Sequence, residues 1–197
     1  MPTLFLGITI LDRLMNDSVP KGVSMSERIR WDQQTEWLKA GLAGNGAFLN
    51  VKTPAGKTNP MTIGWGQVGI IWGRPIFTAY VRKSRYTYEC LQSIDEFTVS
   101  VPRLGELADE LMLCGTKSGR DMDKVEVSGL TLSPGQSVET PIIAQCGLHY
   151  ECKIMARCQL EESDLVSDDV RRIYKIPDLH QVVFGEILAA YVTESSA

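Results

Sequence analysis

The hydrophobic period of the chain changes several times, and each change predicts an element. Trp37, Leu38 and Leu42 fall at helical spacing behind Asp32, so the spacing predicts a short helix over Gln33 to Gly41 with Asp32 as its N-cap. From Ala47 the period shortens. Phe48, Val51 and Thr53 run into Pro54-Ala55-Gly56-Lys57, a strand entering a hairpin turn, and the returning strand begins near Thr58. Ile70, Ile71 and Trp72 lead into a second turn at Gly73-Arg74-Pro75, and Ile76 to Val81 is apolar and rich in strand formers. Ser84 is placed to cap a helix through Leu91, after which Phe97, Val99 and Val101 alternate in a strand ended by Pro102. Leu104 to Leu113 returns to helical spacing, and Leu130-Thr131-Leu132 is a brief strand.

The most sustained alternation runs from Leu148 to Leu160. Leu148, Tyr150, Cys152, Ile154, Ala156, Cys158 and Leu160 share one face, and His149, Glu151, Lys153, Met155, Arg157 and Gln159 share a polar one. His149 is accordingly expected at solvent or at a subunit interface. Val182 to Val192 supplies a last long strand, interrupted by Gly185. Long antiparallel strands with a few short helices predict a mainly β protein, a Greek-key barrel rather than a doubly wound sheet.

Length and charge narrow the function. The 197 residues suit one domain, expected over 31–197 behind an N-terminal extension over 1–30. The net charge of -4 and the absence of any lysine and arginine run argue against nucleic acid or an anionic membrane as partner. The apolar stretch from Leu4 to Leu11 has no preceding basic residue, is followed at once by Asp12 and Arg13, and lacks a small-x-small cleavage site, so no signal peptide is expected; it is also too short to span a bilayer. Five cysteines without a C-x-x-C pair suit free thiols in a reducing cytoplasm. Lys21-Gly22-Val23 can be encoded by a purine-rich ribosome-binding sequence ahead of Met25. Either Met25 is the natural start or residues 1–24 form an arm that packs on a neighbouring subunit.

Candidate chemistry concentrates between Asn59 and Glu89. Arg82, Lys83 and Arg85 stand beside Ser84 and Thr87 where a strand passes into a predicted helix. Helix N–H groups, hydroxyls and guanidinium groups there suit a phosphate, although a solvated basic helix start has the same composition. Upstream, Gly64, Gly66 and Gly69 puncture an apolar strand, as happens where a flat ligand approaches the backbone. Asn59, Thr62 and Gln67 add polar groups that a packed core would not favour. GLAGNG at 41–46 precedes a strand and has the wrong glycine order for a dinucleotide fingerprint. Two histidines without paired carboxylate or cysteine spacing give no metal site.

The strings NPMTIGWG, VRKSRYTYE, CGTKSGRDMDK, GLHYECK and HQVVFGEI, in this order between Trp31 and Tyr191, resemble the flavin reductase family and its flavoredoxin-like members. The resemblance implies a homodimeric split β-barrel that binds FMN and takes electrons from NADH or NADPH, with the acceptor unknown. By position, Met61, Thr62, Ile63, Gly64 and Trp65 would line the isoalloxazine ring, Arg82, Ser84 and Thr87 would hold the phosphate, and Asn59 would also contact the cofactor. Lys117, Ser118, Gly119 and Arg120 would approach the flavin or the dimer edge, with Asp121, Asp123 and Lys124 bracing that loop through ion pairs. His180 resembles the family's histidine near the nicotinamide, as a holder of the donor or a proton shuttle; a surface histidine at a strand start is the plain alternative. Cys114 is either a flavin neighbour or simply buried. In a flavoprotein the cofactor supplies the redox chemistry and the protein orients the hydride donor. Three readings stay open: an NAD(P)H-dependent flavin reductase, an FMN electron carrier reduced by another protein, and a non-redox barrel for another planar phosphorylated ligand.

Overall fold

The computed structural model describes residues 26–174 and 178–193. The expected start at Met25 and the arm over 1–24 lie outside these residues. A short strand β1 (Ser26–Arg28) begins the described chain and is followed by helix α1 (Thr35–Ala43). Asp32 does not cap α1. Its carboxylate pairs with Arg30, and the helix starts two residues later behind Gln34 in a left-handed conformation.

Strands β2 (Ala47–Lys52) and β3 (Thr58–Ile63) form the expected first hairpin, and β4 (Gly66–Ile71) and β5 (Arg74–Arg82) form the second. The second turn is Trp72-Gly73, both at positive φ as a two-residue hairpin requires, so Arg74 and Pro75 already belong to β5. Helix α2 (Tyr86–Ser93), strand β6 (Glu96–Val101) and helices α3 (Ala108–Thr116) and α4 (Lys124–Ser128) follow. Helix α3 begins later than the apolar spacing from Leu104 suggested, behind a left-handed Leu107. Strands β7 (Leu132–Ser133) and β8 (Ile142–Ile143) pair as a small ribbon. Strand β9 (Leu148–Gln159), a 3-10 turn, helix α5 (Asp168–Ile173) and strand β10 (His180–Thr193) are the last elements among the described residues.

The main sheet has the order β3-β2-β6-β9-β10-β5-β4, all antiparallel. The mainly β, Greek-key expectation therefore holds. Long β10 pairs β5 along its first half and β1 at its far end, so one side of the sheet splits. The edge strands β3 and β4 are consecutive in sequence, and Pro60 sits on β3, where a missing ladder donor is tolerated. Gly185 lies at a bulge in β10, where an added Cβ would meet the Phe97 ring at 2.5 Å and Cys152 Cβ at 2.8 Å. Phe77, Phe97, Tyr150, Leu148, Val99 and Leu49 fill the interior.

The polar face expected of β9 is buried over its first half. His149 and Glu151 are both fully buried because the segment from Pro134 to Cys146 covers that face. His149 is therefore neither at solvent nor a ligand of the candidate site: its ring nitrogens meet Ser100 Oγ at 3.2 Å and the Cys146 carbonyl at 2.9 Å. The alternation resumes only beyond Glu151, and Cys158 on the nominally apolar face is exposed.

Burial holds the His149 imidazole down at about 4, against an ordinary value of 6.5. The unfolded chain then binds the extra proton first as pH falls, so stability is complete above pH ~6.5 and is lost between there and about 4, by about 3 kcal/mol for this group. Urea unfolding across that window is expected to show the loss, with a shallower dependence in His149→Gln.

Candidate functional site

The run from Asn59 to Gly69 is two strands rather than one. β3 ends at Ile63, the chain turns through Gly64 and Trp65, and β4 starts at Gly66 against β5. This turn sits at the mouth of a cavity of about 180 Å³ lined by Met61, Thr62, Ile63, Gly64 and Trp65 and, from β5 and β10, by Tyr80, Arg82, Arg85 and His180. A Cβ on Gly64 would meet only the Leu42 carbonyl at 3.7 Å, which leaves space above the backbone, whereas Gly66 faces the Phe77 ring at 3.2 Å and serves packing. Trp65 is 42% exposed, with its ring centroid 4.7 Å from that of His180.

A second cavity, of about 100 Å³, adjoins the first through Met61 and Arg85. Its lining comes from the approach to α2 and its first turn, with Ser84, Tyr86 and Thr87, from the end of α3 and the loop after it, with Cys114, Thr116, Lys117, Ser118, Gly119 and Arg120, and from the start of α4, with Lys124. The structure thus brings together most residues expected from sequence while dividing them: Arg82 lies with His180 and Trp65, and Ser84 and Thr87 lie with the 117–120 loop.

The polar groups have defined partners. Asn59 is buried, and its Nδ2 donates to Thr87 Oγ1 at 2.9 Å, while its Oδ1 has no partner among the described residues. Thr62 Oγ1 donates to the Leu111 carbonyl at 2.6 Å. Ser84 does not cap α2, whose N-cap is Arg85. Its backbone N–H and hydroxyl instead donate to the Asp178 carboxylate at 3.1 and 2.6 Å. Arg82 Nη1 donates to the Asp178 carbonyl at 3.2 Å, and its guanidinium lies 5.3 Å from the Tyr174 ring centroid. Arg85 Nη1 donates to the Gly115 carbonyl at 2.9 Å, and Arg120 pairs with Glu89 and lies over Tyr86.

Asp123 braces its loop as expected, through an ion pair to Lys57 at 3.1 Å. Lys124 does not. It is buried without a carboxylate partner among the described residues, its Nζ reaches the Cys114 carbonyl at 3.3 Å, and burial lowers its pKa to about 8. Cys114 is buried beside it, and burial raises its thiol to about 11. The basic string marks Arg85 as a phosphate group, though it is not among the residues that the family resemblance implies. Asp178 and Tyr174 are not marked in the sequence, because they reach the site only through the return of the chain into β10, which no local pattern signals.

Gly119 packs against Asn59 so closely that an added Cβ would lie inside contact distance of Asn59 Oδ1 and 3.1 Å from the Tyr86 ring. Gly119→Ala is therefore expected to displace Asn59 from Thr87 and to weaken any ligand of the second cavity by about tenfold, with a smaller loss of stability. Ligand titration beside thermal unfolding checks it; unchanged affinity would show that the Gly119 contact does not shape the cavity.

Among the described residues no cluster of metal-ligating side chains occurs, and no helix is long and apolar enough to cross a membrane. The family profile described as "Flavin reductase like domain" matches residues 48–197. A curated protein from Archaeoglobus fulgidus, described as uncharacterized, is 28% identical over 117 residues, 59% of this chain and 65% of its own length. The chain thus spans just under two thirds of that relative. Among solved structures, the flavoredoxin from Methanosarcina acetivorans superposes with a TM-score of 0.58 at 28% identity, over 75% of this chain and 68% of that one. The flavoredoxin of Desulfovibrio vulgaris (Miyazaki F) gives a TM-score of 0.59 at 23% identity, over 75% and 69%.

Proposed function

Because the chain belongs to the flavin reductase-like domain family, we propose that it is an oxidoreductase that binds FMN across the two adjoining cavities and accepts electrons from NADH or NADPH. The observation that carries this reading is the division of the groove into a glycine-lined, aromatic end and a cationic end, bridged by Met61 and Arg85. Each cavity alone is smaller than an ordinary cofactor site of about 300 Å³ or more, so a ligand of that size needs both.

The residues fit the cofactor. The backbone and side chains from Met61 to Trp65 would take the ring, and Asn59 on the same strand leaves an unpartnered buried acceptor beside Gly119 and Thr87 of the second cavity. Thr87, Arg85 and the Lys117–Gly119 loop would take the phosphate, with Ser84, whose two donors already hold a carboxylate from Asp178. Arg82 would stand at the ring-side end, held by Tyr174 and Asp178. Bound FMN would supply hydride acceptance at its ring. The chain would bind the phosphate, orient the ring and admit the donor beside Trp65 and His180. The active form is proposed to be a cytoplasmic homodimer, to which the exposed Ile70 on edge strand β4 and Trp72 in the turn after it would contribute apolar surface.

Mixing the FMN-loaded protein anaerobically with NADH or NADPH tests the reading. Bleaching of the flavin absorbance within seconds by one of them is expected. A flavin that stays oxidised with both would leave an electron carrier reduced by another protein.

A further inference from the structure

His180 is the first residue of β10, and its backbone is fixed by pairing with Arg82 and by bonds from Leu160 N–H and Gln159 Nε2 to its carbonyl, at 3.1 and 3.2 Å. Its ring is fixed separately. Tyr174 Oη lies 2.9 Å from His180 Nδ1, and the two rings meet edge to face with centroids 5.5 Å apart. Tyr174 also meets Trp65 edge to face at 6.2 Å and carries the Arg82 guanidinium on its ring at 5.3 Å. One side chain therefore touches three residues that line the ring-side cavity, Trp65, Arg82 and His180. No family string quoted from the sequence includes it.

We propose that Tyr174 is a positioning residue that holds His180 in the Nε2–H tautomer, so that His180 presents a hydrogen-bond donor to a carbonyl or carboxamide oxygen in the ring-side cavity and does not shuttle protons. The ligand part of this inference rests on the proposed function; the tautomer part does not.

The direction of the Tyr174 bond decides the tautomer. A phenol is a stronger donor than a neutral imidazole N–H, and an unprotonated imidazole nitrogen is a stronger acceptor than a phenol oxygen. The reverse arrangement would leave the phenolic hydrogen without an acceptor among the described residues. With Nδ1 accepting, the single ring proton resides on Nε2.

Protonation of both nitrogens is opposed from several sides. His180 is buried, and Arg82 and Arg85 face its ring with positive charge, against Asp178 alone among carboxylates; Tyr80 and Tyr174 face it with their aromatic rings. Burial first, and Arg82 next, hold the imidazole down at about 4. A donor that stays neutral over the physiological range suits recognition of a nicotinamide carboxamide oxygen, and it cannot supply a proton near pH 7.

The chain has only two histidines, so nitrogen-15 spectra of the imidazoles resolve the question directly. Spectra recorded without flavin, with His180 assigned through His180→Gln, are expected to show the Nε2–H tautomer from pH 5.5 to 8. Tyr174→Phe, which removes only the hydroxyl, is expected to shift a substantial fraction to the Nδ1–H form. An Nδ1–H tautomer in the wild type, or an unchanged pattern in Tyr174→Phe, overturns the proposal. In the loaded enzyme, Tyr174→Phe is expected to raise KM for the nicotinamide about three- to tenfold with FMN affinity unchanged. His180→Gln, which keeps an N–H donor, should retain more of that affinity than His180→Leu. A wild-type protein that takes up no flavin would remove the proposed function, and the flavin-free spectra would still decide the role of Tyr174.

Discussion

Glu151→Ala is expected to destabilise the fold by about 4 kcal/mol, read as a fall in the urea midpoint at unchanged slope. The Glu151 side chain is fully buried, and it accepts from the backbone N–H of Gln136 at 2.7 Å, from those of Ser137 and Val138, and from the Tyr191 hydroxyl at 2.6 Å. Truncation leaves four donors facing one void, and a buried donor without a partner costs about 1–3 kcal/mol. The effect is structural: this carboxylate gathers the 136–138 segment over the second face of β9 and takes no part in either cavity. Flavin affinity of the folded fraction is therefore expected to stay within about twofold. A loss under about 1 kcal/mol would mean that the 136–138 segment finds other acceptors.

Arg85→Ala is expected to weaken FMN by about 10- to 100-fold and riboflavin by about threefold or less. A charge-assisted hydrogen bond to a phosphate is worth about 1.5–3 kcal/mol, whereas riboflavin lacks that group. Arg85 carries the larger share of this prediction because it lines both cavities, while Arg82 lines only the ring-side one and is held by Tyr174 and Asp178. Arg82→Ala is accordingly expected to affect the two ligands more evenly. Since Arg85 also anchors the Gly115 carbonyl, Arg85→Lys, which keeps the charge, serves as the control and should recover part of the FMN preference. Titrations of both ligands with both variants check this; equal losses for FMN and riboflavin in Arg85→Ala would place the phosphate elsewhere.

The strands were legible because apolar residues alternate with polar ones, as in Phe97, Val99 and Val101 around Thr98 and Ser100, and because turn residues bound the hairpin around Ala55-Gly56. That alternation does not report exposure, since Thr98 and Ser100 are as buried as their apolar neighbours. His149 and Glu151 look like a solvated face locally, and only the segment from Pro134 to Cys146, folded back over β9, makes them interior. Helix starts were misplaced for a related reason. Asp32 and Ser84 have capping chemistry, but a nearer partner engages each, Arg30 for one and Asp178 for the other. The site was visible as three strings, TNPMTIGWG, VRKSRYTYE and CGTKSGRDMDK, because each lies on one continuous stretch of backbone. The groups that hold it from behind were not. Tyr174 and Asp178 join it through tertiary approach, and Lys124, expected as an ion-pair brace, carries no mark of burial in its charged segment.

The central claim is that the paired cavities hold FMN by its phosphate as well as by its ring. Its most direct test is calorimetric titration of the flavin-free protein with FMN and, in parallel, with riboflavin. Saturable binding of one FMN per chain, at least about tenfold tighter than riboflavin, is the predicted result. Equal affinity for the two ligands, or no binding of either, would contradict it.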